Sequence, residues 1–294
     1  FRAKIVLKIE KTNKSCGAIV SGINFEKGFT DNIIKTLIEA IYEHKCLVIK
    51  NQNFTYKGYK KFASEWGDLI QHMLDYLRVP NFPEMMIIGN TEEKDKDDAI
   101  RNGASVWHSD GTYIPDSTTI TMLHAKKVPV NGGETLIADL ANAYEDLDKK
   151  LKDEIKNLKA LHFYGKAQFD SDEHLPAPIK TDKQNKTNPV CEKPLVLKHP
   201  YSGKKSLYGI THSPFKILGK TETETRKILK ELKDFSTQDK YIYTHRYEVG
   251  DVLLFDNFTT MHRAKSEINF VKKDGSNARL LWRLSCKGKP RLIN

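Results

Sequence analysis

The sequence predicts a β-sandwich or jelly roll decorated by helices, and three observations carry that reading. Short segments of alternating apolar and polar residues recur along the chain. Long irregular connections join them, without the regular strand and helix alternation of a βαβ fold. Amphipathic helical patterns stand apart from these segments, most of them in the first 160 residues.

In chain order, Ala18-Ile-Val-Ser-Gly-Ile-Asn24 reads as a strand with a turn. Asp31 is placed to cap a helix running to about His44, with Ile33, Ile34, Leu37, Ile38 and Ile41 on one face. Cys46-Leu-Val-Ile49 is a buried strand by its unbroken apolar run, and Thr55 caps a second helix that turns Tyr59, Phe62 and Trp66 inward. Alternation marks strands from Thr118 to His124, Lys205 to Ile210, Tyr241 to Tyr247, Asp251 to Phe255 and Ala278 to Ser285. Helical patterns run from about Leu140 to Leu158 and from Glu222 to Phe235. The stretch from Phe169 to Pro194 holds Pro176, Pro178, Pro189 and Pro194 among polar residues. Strand patterns on both sides of it make a mobile lid at 169–194 the expectation, within a single domain spanning 1–294.

Composition narrows the function. With 294 residues, 39% of them hydrophobic, the chain can bury a substantial core. No apolar run approaches the roughly 18 to 20 residues of a membrane span, and no signal-peptide core is visible at the start. A cytoplasmic protein without a membrane partner is the expectation. The four cysteines form no CxxC pair, which points to reduced, mostly buried thiols. Lys and Arg exceed Asp and Glu by +10, but the lysines are interleaved with acids, as in Lys149-Lys-Leu-Lys-Asp-Glu-Ile-Lys156. That pattern describes solvated helix faces rather than a phosphate track, so nucleic acid is not the expected partner. A nucleic-acid-directed protein is the alternative of another class; it requires a clustered basic groove flanked by exposed aromatics. The charge excess does favour anionic ligands.

His108 and Asp110 form a His-x-Asp triplet just before the strand at Thr118. Residues two apart on an extended segment point the same way, so an imidazole and a carboxylate can grip one ion. His262, after the buried run at Asp251 to Phe255, is the candidate third ligand. Two histidines and one carboxylate leave three open positions, the facial triad of non-haem Fe(II) oxygenases. Zinc fits the same ligands but offers no redox chemistry. Arg279 and Arg283 share one face of the closing strand by parity. Two guanidinium groups facing one barrel suggest two anions bound together, one per arginine.

The chain resembles the taurine dioxygenase (TauD/TfdA) family of Fe(II)- and 2-oxoglutarate-dependent dioxygenases. Trp107-His-x-Asp-x-Thr-Tyr113, Gly132-Gly-Glu-Thr-Leu136, His199-Pro-Tyr-Ser-Gly-Lys204, Gly250-Asp-Val-Leu-Leu-Phe-Asp-Asn257, His262 and Arg279-x-x-x-Arg283 carry the likeness across nearly the whole chain. It implies a double-stranded β-helix, a cupin-like jelly roll, mainly β with flanking helices. It implies His108, Asp110 and His262 as ligands of Fe(II), with 2-oxoglutarate and O2 as co-substrates. Thr135 and Arg279 are implied as partners of the distal carboxylate of 2-oxoglutarate. Arg283 is implied to bind the anionic group of the primary substrate, with His72 assisting and Tyr208 on the apolar wall. Asp75, Ala104 and Tyr208 depart from the pattern of the taurine-binding member, and Asp75 adds a partner for an ammonium group. The expected reaction oxidises a small anionic molecule, amino-acid-like, carboxylate or sulfonate, and releases succinate and CO2. Desaturation or isonitrile formation on the same iron site is the alternative outcome, and a homo-oligomer is left open. The substrate pocket so described requires that Asp75 turn away from solvent and that Arg283 not be paired with a protein carboxylate.

Overall fold

The computed structural model describes residues 7–164 and 182–293. Its main body is a nine-stranded sheet. The strands lie in the order Lys8–Lys11, Ala18–Ser21, Cys46–Ile49, Val252–Asp256, Thr118–Lys127, Leu280–Lys287, Phe82–Gly89 and Arg78–Val79, with Asp68–Leu69 on the far end of Leu280–Lys287. All pairs are antiparallel except Ala18–Ser21 with Cys46–Ile49. A second sheet runs Ile242–His245, Thr135–Asp139, Thr260–Ala264. The two sheets face each other as a jelly roll.

Alternation along the central strands decides which sheet face each residue meets, and both faces are covered. In Thr118–Lys127, Ile120 and Met122 point outward, and Leu123 and Ala125 point inward. The outward set packs under the helix Asp31–His44 and the helix Tyr56–Ala63, through Ile34, Leu37, Ile41, Tyr59 and Phe62. The inward set, with Val48, Leu253, Phe255 and Leu281, meets Ile137 and Tyr243 of the smaller sheet. The segment expected from Thr118 to His124 by its alternation is part of this strand, whose first eight residues are all buried. A sheet covered on two sides carries apolar or hydrogen-bonded residues at both parities.

Several expected elements stand with shifted ends. Thr30, not Asp31, caps the first helix by accepting the Ile33 N–H, while Thr55 caps the second as expected. The helix expected from Leu140 to Leu158 is two, Leu140–Asp146 and Lys149–Ile155, because the chain turns extended at Leu147 and Asp148 caps the next. Asp139 caps Leu140–Asp146 and also pairs with buried Lys45 at 2.8 Å, which ties the two sheets together. Of the expected lid, residues 169–181 lie outside the described residues. Its end is regular structure: Cys191–Pro194 is a strand paired with Lys159–His162.

All four cysteines are buried thiols. Among the described residues no helix is long and apolar enough to cross a membrane. Many lysines pair with neighbouring acids, such as Lys149 and Lys156 with Asp153 and Lys159 with Glu192.

Candidate metal and co-substrate site

The site opens between the two sheets at one end of the inner face. A two-way backbone bridge joins its main parts: the His108 N–H donates to the His262 carbonyl at 3.0 Å, and the His262 N–H to the His108 carbonyl at 2.8 Å. The loop carrying His-x-Asp is thereby stitched to the strand Thr260–Ala264. His108, Asp110 and His262 each offer one ligand atom, and these atoms lie within 4.8 Å of one another. Among the described residues no other group of three such side chains converges.

The surroundings hold these side chains in ligand-ready states. His108 Nδ1 lies 2.8 Å from the Val106 carbonyl, so it carries the proton and Nε2 presents its lone pair toward Asp110 at 3.7 Å. The Thr121 hydroxyl donates to Asp110 Oδ2 at 2.7 Å, the Asn257 amide donates to that hydroxyl, and the Asn257 carbonyl oxygen accepts the Asp110 N–H. Burial alone would raise the Asp110 carboxyl, but the Arg283 guanidinium at 3.0 Å, His262, His108 and the Thr121 hydroxyl together outweigh it and hold the group well below the usual range. Burial drives His262 down to about 3, so its ring is neutral. The donor set is one carboxylate and two imidazoles, which suits a divalent first-row cation.

Next to the cluster lies a buried cation of a different kind. Arg279 donates from Nε to the Gly133 carbonyl at 3.3 Å, and its backbone N–H is held by Asn90. Among the described residues no carboxylate pairs with its guanidinium, although only 4% of the residue is exposed. Buried charges are normally paired, so an uncompensated arginine marks a place for an anion. Thr135 stands in register with Ala264, two residues from the Ile137 opposite His262. At about 3.3 Å per residue, Thr135 is about 7 Å along the sheet from His262, the reach of a short diacid.

On the other side, Arg283 contacts Asp110 and the Met86 sulfur. His72 belongs to the same region: burial, then the Arg283 charge, lowers it to about 4. Tyr113 and Tyr164 form a ring pair at 4.9 Å within electrostatic reach of Arg283. The His212 ring lies 5.6 Å from that of His108, in a left-handed backbone conformation at φ 68°.

Two expected pocket residues are elsewhere. Asp75 is exposed, at the start of a short 3-10 turn, so it offers no buried partner for an ammonium group. A loop has no fixed period, and a three-residue offset from His72 does not set a facing. Tyr208 is only 1% exposed and packs against Phe258, in a layer with Ser117 and Cys191 rather than on an open wall. Arg283 also pairs with a protein carboxylate, so both conditions set for the amino-acid pocket fail; that carboxylate is Asp110, which places the arginine beside the metal cluster. Tyr113, Tyr164 and Tyr247 were not singled out by the sequence reading. Tyr113 closes the Trp107 motif, and its place there was the available signal.

This fold and site define an Fe(II)- and 2-oxoglutarate-dependent oxygenase. The chain matches the sequence profile of the taurine catabolism dioxygenase TauD, TfdA family over residues 8–285, and it belongs to that family. It is similar to the (S)-phenoxypropionate/alpha-ketoglutarate-dioxygenase of Sphingobium herbicidovorans, 29% identical over 93% of this chain and 92% of the relative. It is also similar to the alpha-ketoglutarate-dependent sulfate ester dioxygenase of Pseudomonas putida, 25% identical over 93% of this chain and 87% of the relative. The crystal structure of AAD-2 with Mn(II) and N-oxalylglycine superposes with a TM-score of 0.80 at 25% identity, covering 98% of this chain and 100% of that one. The chain is an oxidoreductase using Fe(II), 2-oxoglutarate and O2.

Proposed function

We propose that this chain is a single dioxygenase domain that oxidises a small organic anion, a carboxylate or sulfate-type ester on an apolar body. His108, Asp110 and His262 hold the iron, and Thr135 and Arg279 hold the far carboxylate of 2-oxoglutarate. When bound, the iron supplies O2 activation coupled to decarboxylation of 2-oxoglutarate to succinate and CO2. The protein's share is to hold the ligands, seat the two organic anions and keep water from the oxidant.

The observation that carries this reading is the charge count of the site. Arg279 and Arg283 contribute two positive charges and Asp110 one negative. A divalent cation raises the balance to three positive charges. The 2-oxoglutarate dianion removes two of these, and one is left. A monoanionic substrate beside Arg283 closes the account, whereas a neutral one leaves a net charge in a mostly buried place. His72, Tyr113 and Tyr164 around Arg283 supply hydrogen-bonding and aromatic surface for the body of such a molecule. The relatives named for phenoxypropionate and sulfate ester substrates support the same class.

The test is succinate release and product analysis across aryloxyalkanoates, alkyl sulfates, sulfonates and amino acids, with neutral esters and amides of the same bodies as controls. Turnover of the anions and none of their neutral analogues is expected. Equal turnover of a neutral analogue would overturn the reading.

A further inference from the structure

Tyr247 lies two residues beyond the strand Ile242–His245, at the end of the pocket where Thr135 and Arg279 meet. Its hydroxyl is 2.9 Å from Thr135 Oγ1. Each of these hydroxyls carries one proton, and their mutual bond uses one of the two. Among the described residues no second partner takes the other. Arg279 is beside them, and its two terminal nitrogens likewise have no partner among the described residues. One spare O–H and a guanidinium without an anion converge on one point.

We propose that the Thr135–Tyr247 bond opens when the far carboxylate of 2-oxoglutarate binds, so that the Tyr247 hydroxyl turns its proton to that carboxylate as a third donor beside Thr135 and Arg279, and contributes to this chain's preference for a 2-oxo diacid over a 2-oxo monoacid. The inference rests on the co-substrate reading above. Tyr247 is held in place for this role: its ring meets the His245 ring edge-on at 4.5 Å. His245 Nε2 lies 3.2 Å from Asp251, and Asp251 in turn pairs with Lys50 at 2.7 Å. Burial pushes the Tyr247 phenol up to about 12, with Arg279 opposing, so it remains a donor at neutral pH. A hydroxyl fixed by a packed ring brings its proton to the anion with little ordering cost.

The experiment measures binding to Mn(II)-loaded enzyme by calorimetry, with 2-oxoglutarate and with 2-oxovalerate, which lacks the far carboxylate. Tyr247→Phe should bind 2-oxoglutarate roughly 10- to 100-fold more weakly, the worth of a hydrogen bond to a charged group, and 2-oxovalerate as wild type does. A melting curve without ligand checks that the variant is folded. Unchanged 2-oxoglutarate binding, or equal losses for both acids, would overturn the role of Tyr247. Arg279→Leu, measured in parallel, separates the two levels: if it also binds 2-oxoglutarate normally, the co-substrate site is misplaced and the Tyr247 role falls with it. If Arg279→Leu alone is impaired, the site stands and Tyr247 only packs there.

Discussion

Arg279 and Arg283 stand four residues apart at the same strand, yet they are built into the protein in opposite ways. Arg279 is buried without a carboxylate partner among the described residues, its backbone locked by Asn90 and its Nε by Gly133. Arg283 already has Asp110 at 3.0 Å. The first needs a ligand to complete it, and beside it stand two paired hydroxyls, Thr135 on a strand and Tyr247 just past the neighbouring one. The second is satisfied before anything binds, and its neighbours His72, Tyr113 and Tyr164 come from loops. On the proposed function, the end that seats 2-oxoglutarate is rigid and unfinished, while the end that meets the primary substrate is self-sufficient and loop-built.

The largest expected effect removes what both ends share. His262→Ala takes away one of three ligand side chains and the ring against Phe255. Metal binding, followed by Mn(II) titration, and succinate release should both fall below detection. Full turnover in this variant would sink the ligand assignment.

Arg279→Leu tests the unfinished end. Its loss should raise the dissociation constant for 2-oxoglutarate roughly 30-fold or more, the penalty of 2 to 5 kcal/mol for breaking a buried charge pair. An unchanged constant would move the co-substrate elsewhere.

The self-sufficient end should respond less, because Arg283 gives the substrate only part of its charge. Arg283→Ala is expected to raise KM for an anionic substrate roughly 10- to 30-fold, within the range of one charged hydrogen bond. Binding of 2-oxoglutarate should stay within about threefold of wild type, a shift below 1 kcal/mol. Equal weakening of both ligands would erase the distinction between the two ends.

The smallest effect concerns Thr121, which touches neither ligand. Thr121→Val removes the hydroxyl between Asp110 and Asn257. Metal affinity should drop about tenfold, as is usual for a partner that orients a ligand. No change would mean that Arg283 alone orients the carboxylate.

The same contrast explains what could be read from residues. The metal cluster was legible because His108 and Asp110 are two apart on an extended segment and His262 follows a buried strand, so spacing fixes facing. The two arginines were legible by parity along one strand. The loop-built end has no period to read: the three-residue offset from His72 to Asp75 suggested a pocket position, and the structure puts Asp75 at the surface. Tyr164 reaches Arg283 from more than a hundred residues away, and no local pattern announces that. The fold class was visible in the strand segments. The second covered face of the sheet was not, because alternation assigns sides but does not reveal that a helix layer covers the outer one.

The strand that bears Arg283, with Arg279 at its threshold, also has a consequence for how the molecule comes into being. Leu280–Lys287 inserts between Thr118–Lys127 and Phe82–Gly89, so the middle of the large sheet is filled by the strand that comes last of that sheet in chain order. Until it emerges, two long strands present bare hydrogen-bonding edges, the surfaces most prone to wrong pairing. Its partners lie more than 150 residues upstream, and such distant closures are slow. His262 precedes Arg279 by only 17 residues, so the third candidate ligand and both arginines come into place close together, and the site for the metal and both organic anions is completed late.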